Sequence, residues 1–171
     1  MTDPSLIKMF QEIFPFSSLF RTLQQSYNSL FPFRNPPLML LSYPRSGSSW
    51  IGEILSRSPS TAYLREPINQ SMIQHHNYHA LVNLDRDQKT FQRYKKYADI
   101  AFSGHPPQDV KDVIHNPSDF QGPQRMNKHL LMKEVNPLAC EFFVDRYAPR
   151  IILLLRHPAA IADSFHRLGW L

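Results

Sequence analysis

Short apolar runs alternate with helical patterns through the second half of the chain. Residues 130–133 and 150–155 are mostly apolar, and each run precedes a segment with apolar residues at helical spacing, 137–147 and a helix that begins at Pro158. The side chains predicted to face inward from these two helices are Leu138, Phe142 and Phe143, and Ile161, Phe165 and Leu168. Apolar strands separated by helices are typical of a parallel sheet that is covered on both faces.

The same order starts at residues 38–41, an apolar run that is followed by a polar loop and a second helix. Ser48 or Ser49 is predicted to cap this helix, and Pro59 to end it, because the residue before a proline avoids the helical conformation. Residues 62–64 form the next predicted strand, which is expected beside 38–41 in the sheet. The pattern therefore predicts an α/β fold of three layers, with a parallel sheet between two layers of helices.

Three regions are expected along the chain. Residues 1–37 carry Phe-Pro pairs around a helix over 17–30, and they are predicted to form an N-terminal arm that packs on the main domain, 38–171. Residues 70–125 are rich in His, Asn, Gln and Asp. They predict a variable, mostly helical insertion with a solvated helix over 87–100.

Neither histidine nor cysteine spacing predicts a metal site. His75, His76 and His79 lie close together, but no carboxylate stands at helical spacing beside them, so a solvent-facing cluster is favoured. Cys140 is the single cysteine, which excludes an intrachain disulfide and a cysteine-based zinc site and favours a reducing compartment. Because no signal peptide or membrane-spanning run is recognisable, a cytoplasmic location is expected.

The charge balance favours an anionic partner. The 171 residues include 19 Lys and Arg against 14 Asp and Glu, a formal net charge of +5. Nucleic acid, acidic lipid or a small molecule with phosphate or sulfate groups would suit this charge. The basic residues are scattered without a run of five, so a nucleic-acid partner is not expected.

The polar loop after the first strand suits an anion. In residues 43–50, Tyr-Pro-Arg-Ser-Gly-Ser-Ser-Trp, Gly47 allows close approach of the backbone and Arg45 supplies a planar fork of donors. Hydroxyl groups are contributed by Ser46, Ser48 and Ser49. A nucleoside-triphosphate loop would need a Gly-Lys pair, which the sequence lacks, and an ordinary serine-capped turn is the plainer alternative.

A second candidate anion site follows the last predicted strand. Arg156 stands at the strand end, Pro158 suits the first helical turn, and Ser164 lies off the apolar face of that helix. Arg156 and Ser164 would bind a second phosphate separate from the first, and a surface Arg beside a surface Ser is the alternative. The Arg-His pair is also similar to the Arg-His-Gly of histidine phosphatases, but Pro158 stands in place of that glycine.

Together, the two motifs resemble the sulfotransferases that use 3′-phosphoadenosine 5′-phosphosulfate. Residues 43–50, Trp50 included, are similar to their 5′-phosphosulfate loop, and Arg156 with Ser164 is similar to their 3′-phosphate site. The Arg-Ser-Gly-Ser-Ser form and the Tyr-Leu-Arg-Glu-Pro of residues 63–67 are closest to the carbohydrate branch of the family. The resemblance implies a P-loop-like nucleotide-binding fold, incomplete at its C-terminal end because relatives usually continue further.

The resemblance also implies transfer of a sulfuryl group from this donor to a hydroxyl or amine of a carbohydrate or other small acceptor, without a metal. Arg45 and Lys133 would stabilise the charge that develops on the donor. The position of the histidine base in cytosolic relatives falls on Val135, so another base is needed, and Glu66 is the first candidate. The next candidates for this base are Glu134 and His105.

Several alternatives stay open at the level of sequence. Glu66 could cap a helix before Pro67 rather than act as a base. The chain could be a truncated, inactive remnant that only binds the nucleotide, or a nucleotide or sugar kinase of related topology. The sequence sets neither the acceptor nor the oligomeric state.

Overall fold

Four parallel strands and six α-helices make up the described part of the chain. The computed structural model describes residues 18–76, 81–84, 87–105, 110 and 112–169. The strands are β1 Leu38–Ser42, β2 Thr61–Arg65, β3 His129–Glu134 and β4 Arg150–Leu154. The helices are α1 Ser18–Ser29, α2 Ser48–Ser56, α3 Pro67–His76, α4 Gln88–Phe102, α5 Cys140–Tyr147 and α6 Pro158–Arg167. Short 3₁₀ turns span Pro117–Phe120, Gly122–Asn127 and Pro137–Ala139.

The strands form one parallel sheet in the order β2-β3-β1-β4. The predicted pairing of β2 with β1 is wrong, because β3 lies between them. β3 is buried from Leu130 to its end, which suits a central strand that is covered on both faces. Lys133 pairs in register with Leu40 of β1 and with Arg65 of β2, so these three residues share one face of the sheet.

One face of the sheet carries the main core under α3, α4 and α5. Met39, Leu41 and Met132 are fully buried there. The covering helices contribute Ile68, Met72, Tyr94, Ala98, Ala101 and Phe143. Helix α4 confirms the helix predicted over 87–100, but the helix belongs to the core, so its predicted solvation is wrong. Its buried face consists of Thr90, one tyrosine and two alanines, which a search for large apolar side chains passes over.

Helix α2 covers the opposite face of the sheet. Gly52 of α2 lies against the ring of Tyr63, and a Cβ atom at this position would collide with the tyrosine hydroxyl. Leu40 and Leu131 are buried on the same face. A parallel sheet between two helical layers confirms the predicted three-layer α/β fold.

The last elements differ from the prediction in their bounds and burial. The helix predicted over 137–147 begins with a 3₁₀ turn, and Leu138 on that turn is exposed rather than inward. Strand β4 ends at Leu154, Ile152 and Leu153 are exposed, and no residue of α6 is buried, contrary to its predicted apolar stripe. Within the described residues, the expected cover of both faces stops short of β4, although the other edge strand, β2, is buried over most of its length.

The described part of the N-terminal arm contacts the segment that precedes β3. Asn28 Oδ1 accepts a hydrogen bond from the Gly122 backbone N–H at 3.1 Å. The ring of Phe33 packs edge to face on Phe120, and the buried Arg125 guanidinium lies 4.5 Å from the centre of the Phe33 ring. The predicted helix over 17–30 corresponds to α1, whereas residues 1–17 lie outside the described part of the chain.

Candidate functional site

The predicted site residues gather at one edge of the sheet, where the four parallel strands end. Arg45 follows β1, Glu66 follows β2, Lys133 and Glu134 end β3, and Arg156 follows β4. Parallel strands bring their carboxyl ends to the same edge, and open sheets of this kind bind ligands there. This edge is the candidate site.

The loop after β1 leads into α2 through a left-handed glycine. Gly47 has a φ of 92° and is the N-cap of α2 without a side-chain hydrogen bond, so the predicted capping by Ser48 or Ser49 is wrong. Ser48 already belongs to the helix and is buried, where its Oγ accepts a hydrogen bond from Ser42 Oγ at 2.7 Å. A helix start without a side-chain cap presents its first backbone N–H groups to an anion.

Two more features of this loop fit an anion. Ser46 Oγ is buried and has no hydrogen-bond partner among the described residues, a state that costs free energy unless a ligand or water satisfies it. A Cβ atom at Gly47 would meet no other atom within 4 Å, so the space over the loop is open. Trp50, in the first turn of α2, is 70% exposed. The loop and the first turn of α2 therefore carry a hydroxyl, backbone donors and an exposed ring that suit an anionic ligand.

Arg45 joins the two predicted anion sites. Its Nε donates a hydrogen bond to Ser164 Oγ at 3.0 Å, and Arg156 Nη1 donates to the Arg45 carbonyl oxygen at 2.9 Å. Tyr43 and Phe165 pack edge to face beside this contact, with ring centroids 6.3 Å apart. The two sites that were predicted to be separate therefore meet in one cluster with two guanidinium groups.

Arg45 and Glu66 both have a left-handed backbone, with φ of 67° and 49°. Asp112 and Ala148 are the other described non-glycine residues with positive φ. The conformation costs a residue with a Cβ atom about 1–2 kcal/mol and concentrates at functional sites. The turn at Glu66 is fixed by its backbone N–H, which donates to the Lys133 carbonyl oxygen at 2.7 Å.

Lys133 and Glu66 form an ion pair between the ends of β3 and β2. Lys133 Nζ donates to Glu66 Oε1, and the two side chains are 2% and 12% exposed, respectively. Lys133 lies on the sheet face that α2 covers, in register with Leu40, two residues before β1 ends at Ser42. The pair therefore lies on the loop side of the sheet, with the Glu66 carboxylate as its more accessible member.

Glu134, not Glu66, caps the helix that follows β2. Glu134 Oε1 accepts hydrogen bonds from the backbone N–H groups of Ile68 at 2.7 Å and Asn69 at 3.4 Å, in the first turn of α3. The hydrogen bonds of the Glu66 carboxylate come from side chains, from Lys133 and from Asn69 Nδ2 at 2.7 Å. The helix-capping alternative for Glu66 is therefore wrong.

Burial raises the pKa of Glu134 to about 8. The residue has no exposed surface, which disfavours its charged form, and the nearby Glu66 carboxylate adds to the effect. The hydrogen bonds from the start of α3 and the charge of Lys133 act in the opposite direction. Complete burial also separates Glu134 from any acceptor, which counts against its predicted role as a base.

The raised pKa of Glu134 predicts a specific pH dependence of stability. Between about pH 5 and 8, native Glu134 holds a proton that the unfolded chain releases, so the free energy of unfolding falls as the pH rises. The slope reaches at most about 1.4 kcal/mol per pH unit. In Glu134→Gln this contribution should disappear. Urea unfolding of both proteins from pH 5 to 9 measures the difference, and parallel pH profiles would contradict the prediction.

His105 lies away from the other candidate bases. Its Nδ1 makes a hydrogen bond with Ser103 Oγ at 3.1 Å. Burial and the neighbouring Arg125 lower its pKa. Arg125 precedes β3, so His105 lies toward the amino ends of the strands and is not brought together with Arg45 and Glu66.

His75 and His76 both contact the side chain of Tyr97. The ring of His75 stacks on Tyr97 at 5.9 Å, and His76 Nε2 lies 3.2 Å from the Tyr97 hydroxyl oxygen. His79 lies outside the described residues. No three potential metal ligands group together within the described ranges.

None of the described helices is both long enough and apolar enough to span a membrane.

Asn69 is one of two site residues that were not predicted from the sequence. It follows Glu66 by three residues at the start of a helix, a spacing at which side chains meet. Glu-Pro-x-Asn was therefore a readable signal. Ser42 was missed as well, because its contact with Ser48 depends on the turn at Gly47 between them.

Comparison with known proteins identifies the family. The chain matches the sulfotransferase domain over residues 35–169, a range that contains every residue of the site described above. No curated protein and no solved structure matches the chain significantly. The domain match covers well over half of the chain and includes both anion-binding motifs, and the chain therefore belongs to the sulfotransferase family.

Proposed function

We propose that the chain transfers a sulfuryl group from 3′-phosphoadenosine 5′-phosphosulfate to a hydroxyl or amine of a carbohydrate or another small acceptor. One observation carries this proposal: Arg45 of the loop after β1 contacts both Ser164 and Arg156 of the β4–α6 segment. A nucleotide with phosphates on both the 3′ and 5′ sides of its ribose needs two adjacent groups of anion-binding donors. Membership of the sulfotransferase family supports the same donor.

Each end of the donor has matching residues. The loop offers the Ser46 hydroxyl, the open backbone at Gly47 and the start of α2 to the phosphosulfate. Arg156 and Ser164 suit the 3′-phosphate, because a guanidinium and a hydroxyl both donate to phosphate oxygens. When bound, the donor supplies the sulfuryl group and a phosphate as the leaving group.

Glu66 is proposed as the base. Its carboxylate takes up the proton of the acceptor hydroxyl as a sulfur–oxygen bond to the acceptor forms and the bond from sulfur to the bridging oxygen breaks. An ionised carboxylate has about four acceptor positions. Lys133 and Asn69 occupy one position on each oxygen, so the carboxylate keeps further lone pairs for the acceptor.

Arg45 and Lys133 are proposed to stabilise the negative charge that remains on the bridging oxygen. Arg45 would move from Ser164 toward this oxygen, whereas Lys133 already lies on the loop side of the sheet next to Glu66. The guanidinium and ammonium groups supply the positive charge, so the proposal includes no metal ion.

A polar recess at the end of β2 supports a hydroxyl-rich acceptor. The recess is lined by Glu53, Tyr63, Arg65, Asp112, Ile114 and His115. Carboxylate, guanidinium and imidazole groups all form hydrogen bonds with hydroxyls. Arg65 is also part of the Tyr-Leu-Arg-Glu-Pro sequence that resembles the carbohydrate branch, so a carbohydrate is the acceptor that we propose.

Replacing Arg156 with alanine should weaken binding of 3′-phosphoadenosine 5′-phosphate. The loss of charged hydrogen bonds to one phosphate is worth about 1.5–3 kcal/mol, roughly a 10- to 150-fold rise in Kd. Adenosine 5′-phosphate, which lacks the 3′-phosphate, should bind both proteins with Kd values within a few-fold. Calorimetric titration of each nucleotide measures both effects, with Arg150→Ala at the opposite end of β4 as the matched control.

Three outcomes would count against parts of the proposal. Equal losses for the two nucleotides would mean that Arg156 does not bind the 3′-phosphate. Competition by ATP as strong as that by 3′-phosphoadenosine 5′-phosphate would favour a kinase-like donor site. Nucleotide binding without transfer to any hydroxyl or amine acceptor would leave a nucleotide-binding protein without catalytic activity.

A further inference from the structure

We infer that Asn69 is a positioning residue that holds the Glu66 carboxylate in its orientation toward the acceptor, an inference that rests on the proposed function. Asn69 is 7% exposed, and its Nδ2 donates to Glu66 Oε2 at 2.7 Å. Lys133 Nζ donates to the other oxygen, Oε1. With one donor on each oxygen, the carboxylate plane cannot rotate without breaking a hydrogen bond.

The position of Asn69 is itself fixed by β3. Glu134 Oε1 accepts from the backbone N–H groups of Ile68 and Asn69, which ties the first turn of α3 to the end of that strand. Glu134 is fully buried, so this attachment is shielded from water. The α3 turn therefore cannot shift relative to β3 without leaving a buried carboxyl group unsatisfied.

Two consecutive residues of β3 thus fix Glu66 from opposite faces of the sheet. Successive side chains of a strand point to opposite faces, so Lys133 reaches Glu66 on the α2 side while Glu134 holds α3 on the other side. Asn69 completes the connection from Glu134 to the Glu66 carboxylate. The strained left-handed backbone of Glu66 lies between these two attachments.

Replacing Asn69 with alanine should lower kcat about 10- to 100-fold, the loss expected when a reacting group is displaced by about 1 Å. The acceptor KM and the Kd of 3′-phosphoadenosine 5′-phosphate should stay within a few-fold, since Asn69 touches neither ligand. Asn69→Ser, whose hydroxyl is too short to reach Glu66 Oε2, should show the same loss if the alanine variant folds poorly. Gln70→Ala, next in the same turn, is the matched control with the kcat of the parent chain.

The decisive measurement repeats Asn69→Ala in a Glu66→Gln background. A residue that acts through Glu66 has no further effect once Glu66 has lost its function. A second 10- to 100-fold loss in the double variant, or an effect on KM instead of kcat, would overturn the inference.

A parent chain that binds the nucleotide but transfers nothing would refute the proposed function and not this inference. In that case, crystal structures of the parent chain and of Asn69→Ala test whether Asn69 positions the Glu66 carboxylate. Movement of the Glu66 carboxylate away from Lys133 in the variant supports positioning by Asn69. An unchanged Glu66 side chain, still bonded to Lys133, overturns it.

Discussion

Replacing Glu66 with glutamine is expected to lower kcat by about 10²- to 10⁴-fold, the usual contribution of a positioned base. Glutamine has the shape of glutamate, and its amide oxygen still accepts a hydrogen bond from Lys133. It cannot, however, take up the proton of the acceptor. The affinity for 3′-phosphoadenosine 5′-phosphate should stay within a few-fold, because Glu66 lies beyond the residues proposed to bind the nucleotide.

The experiment compares turnover per folded molecule at saturating donor, with the folded fraction taken from urea unfolding. Glu141→Gln makes the same chemical change at an exposed carboxylate of α5 that is not among the proposed site residues, and it should keep the kcat of the parent chain. A Glu66→Gln variant that keeps more than about a tenth of the parent kcat would place the base elsewhere, since a working base contributes at least about 10²-fold.

The strands could be predicted from the sequence to within about one residue at most ends, because short apolar runs between polar loops have few alternative structures. The order of the strands in the sheet could not be predicted from the sequence. Residues 62–64 carry no mark that selects β3 rather than β1 as a neighbour, since both are apolar on the faces they present. The choice depends on the crossover connections, and these run through the region with the weakest pattern.

Some residues of the candidate site could be predicted from the local sequence, and others depend on the order of the strands. Arg45, Ser46 and Gly47 belong to one contiguous loop, and Arg156 stands at a strand end, so their chemistry is readable from local sequence. The pair of Lys133 with Glu66 depends on the adjacency of β2 and β3, two strands that have residues 66–128 between them in the sequence. Its existence therefore follows from the sheet order, which the sequence pattern did not contain.

The spacing of apolar residues also did not predict which side chains are buried. Glu134 is a charged residue type at the end of an apolar strand, a position that ordinarily meets water, and it is fully buried as the cap of α3. Leu138 shows the reverse, because the 3₁₀ turn before α5 directs this leucine outward. Both outcomes depend on how one helix start packs against the sheet edge, and such packing is a tertiary property.

Replacing Glu66 with alanine is expected to lower the free energy of unfolding by about 3–5 kcal/mol, the typical cost of removing one member of a buried ion pair. The loss is large because Lys133, with 2% of its side chain exposed, would be left as a buried charge without its counter-ion. Lys133→Met should lower the free energy of unfolding by a smaller amount. The remaining Glu66 carboxylate is 12% exposed and keeps the hydrogen bond from Asn69, so water and that amide still solvate it.

The double variant Lys133→Met/Glu66→Ala separates charge burial from packing. If the cost of Glu66→Ala comes from the unpaired ammonium group, removing that group should restore at least half of the lost free energy of unfolding, because an apolar replacement of a buried pair is often close to neutral. Urea unfolding with linear extrapolation measures all four proteins, provided that the m value stays constant. A double variant no more stable than Glu66→Ala would show that the loss arises from cavity formation, and that the Lys133 ammonium reaches water once Glu66 is gone.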